Sequence, residues 1–294
     1  MRILLFLATN IAVLLVASVT FRVLGLDAWL YQQGIATNLT GLLVFAAVFG
    51  MGGAFVSLLM SKWMAKMSVR AHVIDQSANS TERWLLDTVK ELATDAKIGM
   101  PEVAIFDSPQ PNAFATGASK NSALVAVSTG LLQNMRQDEV RAVLGHEIGH
   151  VANGDMVTLT LIQGVLNTFV IFFARIIGSI VDRAVFRNEN GYGIGFFVVS
   201  MIAQVVLGIG ATIVVMWFSR FREFRADAAG AQLAGRNNMI GALERLKIAT
   251  QMPETMPDTL VAFGISSGIR RGFSTLFASH PPLDDRIAAL RQAA

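Results

Sequence analysis

Four long apolar stretches without a charged side chain alternate with polar segments along the chain. They cover residues 3–21, 39–60, 156–174 and 194–218, and the third resumes after Arg175. A helix of about 20 residues crosses the hydrocarbon core of a bilayer. The pattern therefore predicts four membrane-spanning helices, the third of which extends over residues 156–181.

The spans divide the chain into two membrane hairpins and two polar parts. The hairpins are residues 1–60 and 156–218, and the polar parts are residues 61–155 and 219–294. Within the polar parts, residues 102–106 and 123–128 predict short strands, with an extended segment over residues 112–116 between them. Apolar residues spaced by three and four predict a helix over residues 137–153, and a closing helix is expected over residues 283–292. The predicted fold is an integral membrane protein, mainly α-helical with a small β-sheet.

Composition supports a membrane protein and excludes several kinds of chemistry. The chain is 53% hydrophobic and 15% charged, whereas soluble domains have about 25% charged residues. It has no cysteine, which excludes disulfides, cysteine nucleophiles and thiolate metal sites. The net charge is only +3, and no basic stripe is interleaved with aromatic residues. We therefore expect no nucleic-acid partner.

Residues 146–150 read His-Glu-Ile-Gly-His within the predicted helix 137–153. Side chains four residues apart share a face of a helix, so His146 and His150 can bind one metal ion. Glu147 is placed to deprotonate a water molecule at that metal, which is the chemistry of zinc peptidases. The alternative is a helix with incidental polar residues, which is the less favoured interpretation in this context.

A catalytic zinc ion held by two histidines needs a third protein ligand. Asp155 is close in sequence, but Glu223 is better placed, because Glu223 and Asp227 share a helical face. One of these two carboxylates can bind the metal, and the other can orient a ligand histidine. The competing interpretation is an exposed helix whose acids pair with neighbouring arginines, and this segment alone does not decide between them.

Topology favours a shared site. Two spans separate His150 from Glu223, so the chain returns to the side of the membrane that it left. Basic residues are unequally distributed about the spans. One side has Arg2, Lys62, Lys66, Arg70, Arg220, Arg222 and Arg225, and the other has Arg22, Arg175, Arg183 and Arg187. Because cytoplasmic flanks are enriched in lysine and arginine, we expect both termini and the site in the cytoplasm, near the membrane surface.

Together these motifs resemble the HtpX membrane metalloproteases, bacterial gluzincins related to the CAAX prenyl-protein endoproteases. The resemblance covers nearly the whole chain. It includes the runs at residues 140–155, 112–117, 216–227 and 279–287. It implies a gluzincin-like domain with one zinc ion at His146, His150 and Glu223, and Glu147 as the general base. It also implies an inner-membrane enzyme that degrades damaged or misassembled membrane proteins under stress.

Other residues receive roles that are less specific. By resemblance, His280 donates a hydrogen bond to the oxyanion, although its segment can equally serve only to begin the last helix. Asp227 orients a ligand histidine, and Arg286 either supports the site or only pairs with an acid. The segment Asn112, Ala113 and Phe114 resembles a substrate-binding edge strand that takes an unfolded substrate as an added strand. Phe114 can also simply be a core residue.

Three other functions compete with this prediction. A quality-control scaffold would bind zinc or unfolded segments without cleaving them, but the intact Glu147 argues against it. A transporter would need charges within its spans, and only Arg175, near an end, provides one. A prenyl-protein endoprotease would need a chamber for a lipidated tail, and four spans are few to build one.

Overall fold

The computed structural model describes residues 15–16, 18–20, 22–32, 38–188, 192–251 and 280–293. The helices are α1 (Leu26–Gln32), α2 (Leu39–Ser68), α3 (Ser80–Asp95), α4 (Thr129–Asn134), α5 (Gln137–Asn153), α6 (Asp155–Ala184), α7 (Ile194–Ala234), α8 (Arg236–Gln251) and α9 (Leu283–Gln292). The strands are β1 (His72–Val73), β2 (Glu102–Phe106), β3 (Ala113–Ser119) and β4 (Ser122–Ser128). The protein is thus mainly helical with one small sheet, as the sequence predicts.

Three of the described helices, α2, α6 and α7, are long and apolar enough to cross a membrane. They contain the predicted spans 39–60, 156–181 and 194–218, and large apolar side chains such as Phe49 and Met201 are exposed on them. Exposed apolar surface of this extent is typical of lipid contact rather than of a water-facing surface. The predicted span 3–21 lies largely outside the described residues.

The chain divides into two compact units, of which the first comprises Met1–Ser57 and Leu159–Val215. Within it, α2 packs against α6, where Leu43 and Ala46 form an apolar cluster with Phe172. Gly50 allows the two helices to approach closely, since a Cβ atom there would lie 2.5 Å from the backbone nitrogen of Thr168. Small residues at such crossings are the usual means of packing helices in membranes.

The second unit comprises Leu58–Thr158 and Met216–Ala294 and contains the sheet. Its strand order is β1-β2-β4-β3. Strands β2 and β4 are parallel, and β1 and β3 pair antiparallel with them. Strand β4 lies inside the sheet and is buried along most of its length, whereas β3 is an edge strand. Side chains alternate between the two faces of the sheet, so Val125 and Val127 join the main core while Leu124 and Ala126 join a second cluster.

Helix α5 is held in that main core. Leu144 and Ile148 are fully buried, and they belong to the apolar cluster that also contains residues of α3, α8 and α9. At its start the Glu139 carboxylate accepts a hydrogen bond from the backbone nitrogen of Arg136 at 2.9 Å. At its end Gly154 has φ of 70°, a left-handed conformation that glycine adopts without steric cost. The chain therefore turns sharply from α5 into α6.

The sequence patterns locate most of these elements correctly. Helices α5 and α9 and strand β2 have the predicted bounds, and β4 begins one residue earlier than the predicted 123–128. The extended segment predicted over 112–116 is shifted, because β3 begins at Ala113 and continues to Ser119. Its hairpin partner explains the shift, since pairing with β4 continues to Ser122.

Candidate metal centre

Helix α5 brings its two histidines together on one buried face. The Nε2 atoms of His146 and His150 lie 3.2 Å apart, and the rings meet edge to face with centroids 4.7 Å apart. This is the consequence of the four-residue spacing, which stacks the two side chains one turn apart. Because α5 is packed in the core on its apolar side, the pair is held in a fixed position.

Glu223 on α7 supplies a third donor at the same point. Its Oε1 lies 3.2 Å from Nε2 of His150, and its Oε2 lies 3.6 Å from Nε2 of His146. One ligand atom from each of these three residues lies within 4.8 Å of the others. A tetrahedral zinc ion with ligands at about 2.0–2.2 Å separates those ligands by about 3.3–3.6 Å. The three donors are thus already spaced as one ion would hold them.

Asp155, the rival third ligand, is on the wrong side of its histidine. Its Oδ2 lies 2.6 Å from Nδ1 of His150, whereas Nε2 of the same ring faces His146 and Glu223. The two nitrogens of an imidazole ring point in different directions, so Asp155 does not face the centre. Instead it accepts the Nδ1 hydrogen, so Nε2 is the nitrogen that faces the metal position.

Asp227 has the same relation to the other histidine. Its Oδ1 lies 2.9 Å from Nδ1 of His146, which places it where the sequence predicted an orienting carboxylate. Arg286 on α9 donates to Asp227 through Nε at 2.8 Å and through Nη2 at 2.5 Å. Its Nη1 also lies 3.3 Å from Oε2 of Glu223. Arg286 therefore pairs with both acids of α7 rather than with an acid of its own C-terminal segment.

His280 and Glu147 line the more open side of the centre. Nδ1 of His280 donates to Oε2 of Glu223 at 2.6 Å, and the His280 side chain is 60% exposed. Glu147 is partly buried, and its charge acts on both His150 and Arg286. The structure thus brings the predicted catalytic pair to the centre, and the side chain of His280 is the more exposed of the two.

Acidic neighbours dominate the electrostatics of the buried donors. Burial lowers the pKa of His150, but hydrogen bonds with Asp155 and Glu223 outweigh burial and raise the pKa to about 10. Burial also opposes the charge of Arg286, whereas its pairing with Asp227 raises its pKa. A metal ion must therefore displace a proton from His150, so metal affinity falls as the pH falls.

Strand β3 borders the centre, although not through the residues singled out in the sequence. Thr116 and Gly117 line a small cavity together with His150 and Asp155. Phe114 instead packs against Phe106 on the other face of the sheet, with ring centroids 5.7 Å apart. Its side chain therefore belongs to the core, while Asn112 and Ala113 lie where β3 begins. A substrate role of this segment rests on the backbone of the edge strand.

Two contacts between Arg222 and Asp155 were not predicted from the sequence. Asp155 was considered only as a ligand, and Arg222 only as a surface cation, yet both are buried. Nη1 of Arg222 donates to the backbone oxygen of Asp155 at 2.6 Å, and its Nη2 pairs with the carboxylate. The available signal was the glycine before Asp155, since a left-handed cap turns the next residue back towards the helix end.

Comparison with known proteins agrees with this geometry. Residues 79–294 match peptidase family M48, and the chain belongs to that family. M48 peptidases depend on a metal ion, so the protein is a metalloprotease. The three apolar helices among its described residues and its relatives identify it as a membrane protein.

Its similarity to individual relatives extends over the full chain. It is 68% identical to the protease HtpX of Hahella chejuensis over 98% of both chains. It is 64% identical to the protease HtpX of Chromohalobacter salexigens over 100% of this chain and 99% of the other. A crystal structure of Ste24p from S. mikatae has a similar fold, with TM-score 0.59 and 18% identity, over 98% of this chain and 67% of that one. The predicted resemblance to the HtpX metalloproteases is therefore confirmed.

Proposed function

We propose that this protein is a zinc-dependent endopeptidase that hydrolyses misfolded or damaged membrane proteins, as part of membrane protein quality control under stress. The observation that carries the zinc assignment is the spacing of His146, His150 and Glu223, which suits a tetrahedral ion. Two imidazoles and one carboxylate are the ligand set of zinc peptidases, and they leave one position open. One zinc ion per chain is expected.

A zinc ion held by His146, His150 and Glu223 would supply Lewis acidity, polarising the scissile carbonyl and lowering the pKa of a water molecule. Glu147 accepts a proton from the attacking water and delivers it to the leaving nitrogen. Its partial exposure suits this task, because a general base must reach both water and substrate. Asp227 and Asp155 hold the Nδ1 hydrogens of His146 and His150, which keeps both Nε2 lone pairs directed at the centre.

His280 and Arg286 both contact Glu223, and we assign them different roles. His280 pairs with Glu223 in this structure, and its exposed side chain is free to donate to the oxyanion that forms during the reaction. Arg286 is buried and held by Asp227, so we assign it the fixed role of positioning Asp227 and Glu223. His280 thus stabilises the intermediate, whereas Arg286 supports the ligands.

The substrate is proposed to bind as an extended strand along the free edge of β3. In the described sheet β3 pairs only with β4, and Thr116 and Gly117 share a cavity with His150. Backbone hydrogen bonds at a strand edge do not depend on the side chains of the substrate. This suits an enzyme that acts on many different unfolded substrates. A folded protein does not offer such a strand, so unfolding itself selects the substrate.

Membrane proteins are the proposed substrates because the ligand segments are continuous with membrane helices. Helix α6 begins two residues after α5 ends, and Glu223 lies on α7, whose apolar part is residues 194–218. The centre is therefore close in sequence to two spans, and we place it near the surface of the bacterial inner membrane, where lipid surrounds the hairpins. A membrane-protein segment that leaves the bilayer would therefore be close to the metal centre.

The substrate class can be tested with two forms of one reporter protein, of which one is destabilised. A membrane protein with a proline in one span and its intact parent are co-reconstituted with the protease and zinc in liposomes. Because cleavage requires an exposed strand, we expect the destabilised reporter to be cut about tenfold faster or more. Glu147→Gln protease and a chelator serve as blanks. Equal rates for the two reporters would contradict selection of damaged proteins.

The orientation can be tested with single cysteines, because the natural chain has none. Val185 is exposed just after α6, and we propose that this end faces the periplasm. Val185→Cys should react with a membrane-impermeant maleimide in intact cells, whereas Lys90→Cys, exposed on α3, should react only after lysis. Labelling of Lys90→Cys alone in intact cells would reverse the proposed topology.

A further inference from the structure

Each of the two candidate ligand histidines is supported by an aspartate and an arginine, and the two pairs come from different parts of the chain. Nδ1 of His146 faces Asp227, which Arg286 holds through two nitrogens. Nδ1 of His150 faces Asp155. The residue that holds Asp155 is the buried Arg222. Each histidine thus has one aspartate, and each aspartate has one arginine. Supporting roles were predicted from the sequence for Asp227 and Arg286, but not for Asp155 and Arg222.

The pair of Asp155 and Arg222 joins α6 and α7 beside two of the candidate ligands. Asp155 is the first residue of α6 and follows the left-handed Gly154, which turns its carboxylate back towards His150. Arg222 directly precedes Glu223 on α7. A contact between Asp155 and Arg222 therefore connects the end of the histidine helix to the residue next to the third donor.

Arg222 holds both the backbone and the side chain of Asp155. Its Nη1 donates to the Asp155 carbonyl oxygen at 2.6 Å, and its Nη2 pairs with the Oδ1 atom. The other carboxylate oxygen, Oδ2, remains for His150. A guanidinium group presents several donors in one rigid plane, whereas a lysine offers a single point of charge. This double contact holds the first residue of α6 and directs its carboxylate.

We propose that Arg222 is a positioning residue of the metal centre, acting through Asp155 on His150. Arg222 keeps the Asp155 carboxylate against Nδ1 of His150, and it sets the separation between His150 and Glu223. The inference rests on the proposed zinc ligands, because it concerns how tightly they bind. Groups that orient metal ligands in this way typically change metal affinity by about 10–100-fold.

The experiment measures metal affinity in the full-length detergent-solubilised protein. Zinc dissociation constants are obtained by competition with a chromophoric chelator for wild type, Arg222→Gln, Asp155→Asn and the double variant. Arg225→Gln is the matched control, because Arg225 lies on the same helix but is exposed. We expect about 10–100-fold weaker zinc binding for each single variant and wild-type binding for the control. If Arg222 acts through Asp155, the double variant binds no more weakly than the weaker single variant.

A second readout separates positioning from simple support of the fold. Cobalt(II) in the zinc site reports ligand geometry through its visible absorption, and Arg222→Gln should shift those bands. Arg222→Lys keeps the charge and provides a check if the glutamine variant fails to fold; with only one donor group, it should also shift the bands. Unfolding temperatures with and without zinc should show a smaller zinc-induced increase in the variants.

The results against the proposal are specific. Wild-type zinc affinity and cobalt bands in Arg222→Gln, or in Arg222→Lys if only that variant folds, would overturn it. Additive losses in the double variant would also overturn it, because Arg222 would then act independently of Asp155. Failure of the wild-type protein to bind zinc would instead refute the proposed zinc function, so the two ideas fail separately.

Discussion

Glu147→Gln should abolish peptide hydrolysis while the protein still binds one metal ion. Glutamine has the shape of glutamate but does not accept a proton from water at neutral pH. General bases typically contribute about 10²–10⁴-fold to a rate, so we expect a loss of at least about 100-fold. The metal should remain because Glu147 is not among the three converging donors. Casein cleavage and zinc content per chain are the two measurements.

The matched control for this substitution is Glu91→Gln. Glu91 is an exposed glutamate on α3 whose only described ion pair is with Arg141, and exposed pairs contribute little to stability. It should cleave casein at the wild-type rate. Wild-type cleavage by Glu147→Gln would instead show that another group activates water, and the mechanism proposed above would be wrong.

Glu223→Ala should remove stoichiometric zinc and, with it, activity. Alanine leaves only two imidazole donors, and residues that merely orient ligands already cost about 10–100-fold in affinity. We therefore expect more than a hundredfold weaker binding, measured by chelator competition and metal analysis. Full retention of zinc would transfer the ligand role to Asp155, which in this structure faces the opposite nitrogen of His150.

Loss of the Glu223 carboxylate also leaves the positive charge of Arg286 less well balanced. Arg286 and His280 both contact Glu223, and Arg286 is buried. Glu223→Gln, which keeps the side-chain volume, separates the loss of a ligand from the loss of packing. Both variants should lose zinc, and the glutamine variant should unfold at a temperature closer to that of wild type. Glu244→Ala, an exposed acid on α8 paired with Arg291, is the control and should bind zinc normally.

Local sequence patterns were sufficient to predict much of the structure of this protein. The bounds of α5 and β2 follow from apolar periodicity and strand propensity, because those local patterns agree with the burial that each element finally has. The spacing of His146 and His150 defines a shared helical face wherever the helix lies. The spans at 39–60, 156–181 and 194–218 follow from length and composition, because a bilayer imposes one thickness on every helix that crosses it.

The interaction partners of these residues could be identified only from the tertiary structure. Asp155 and Glu223 were both available as a third ligand, and the sequence does not state which nitrogen of His150 each carboxylate faces. That depends on the turn at Gly154 and on the packing of α7 against α5. Phe114 is similar, because alternation places it on one face of β3, while only the assembled sheet shows that this face is packed against Phe106.

By itself, the sequence determined the chemical groups: a buried helical face with two imidazoles, a neighbouring carboxylate, and apolar helices before and after it. These features are local, so a few turns of helix and a count of apolar residues define them. Only the tertiary structure decided how the donors are held, with Asp227 and Arg286 behind His146 and Asp155 and Arg222 behind His150. Those contacts join residues far apart in the chain, and their directions are set by packing rather than by spacing.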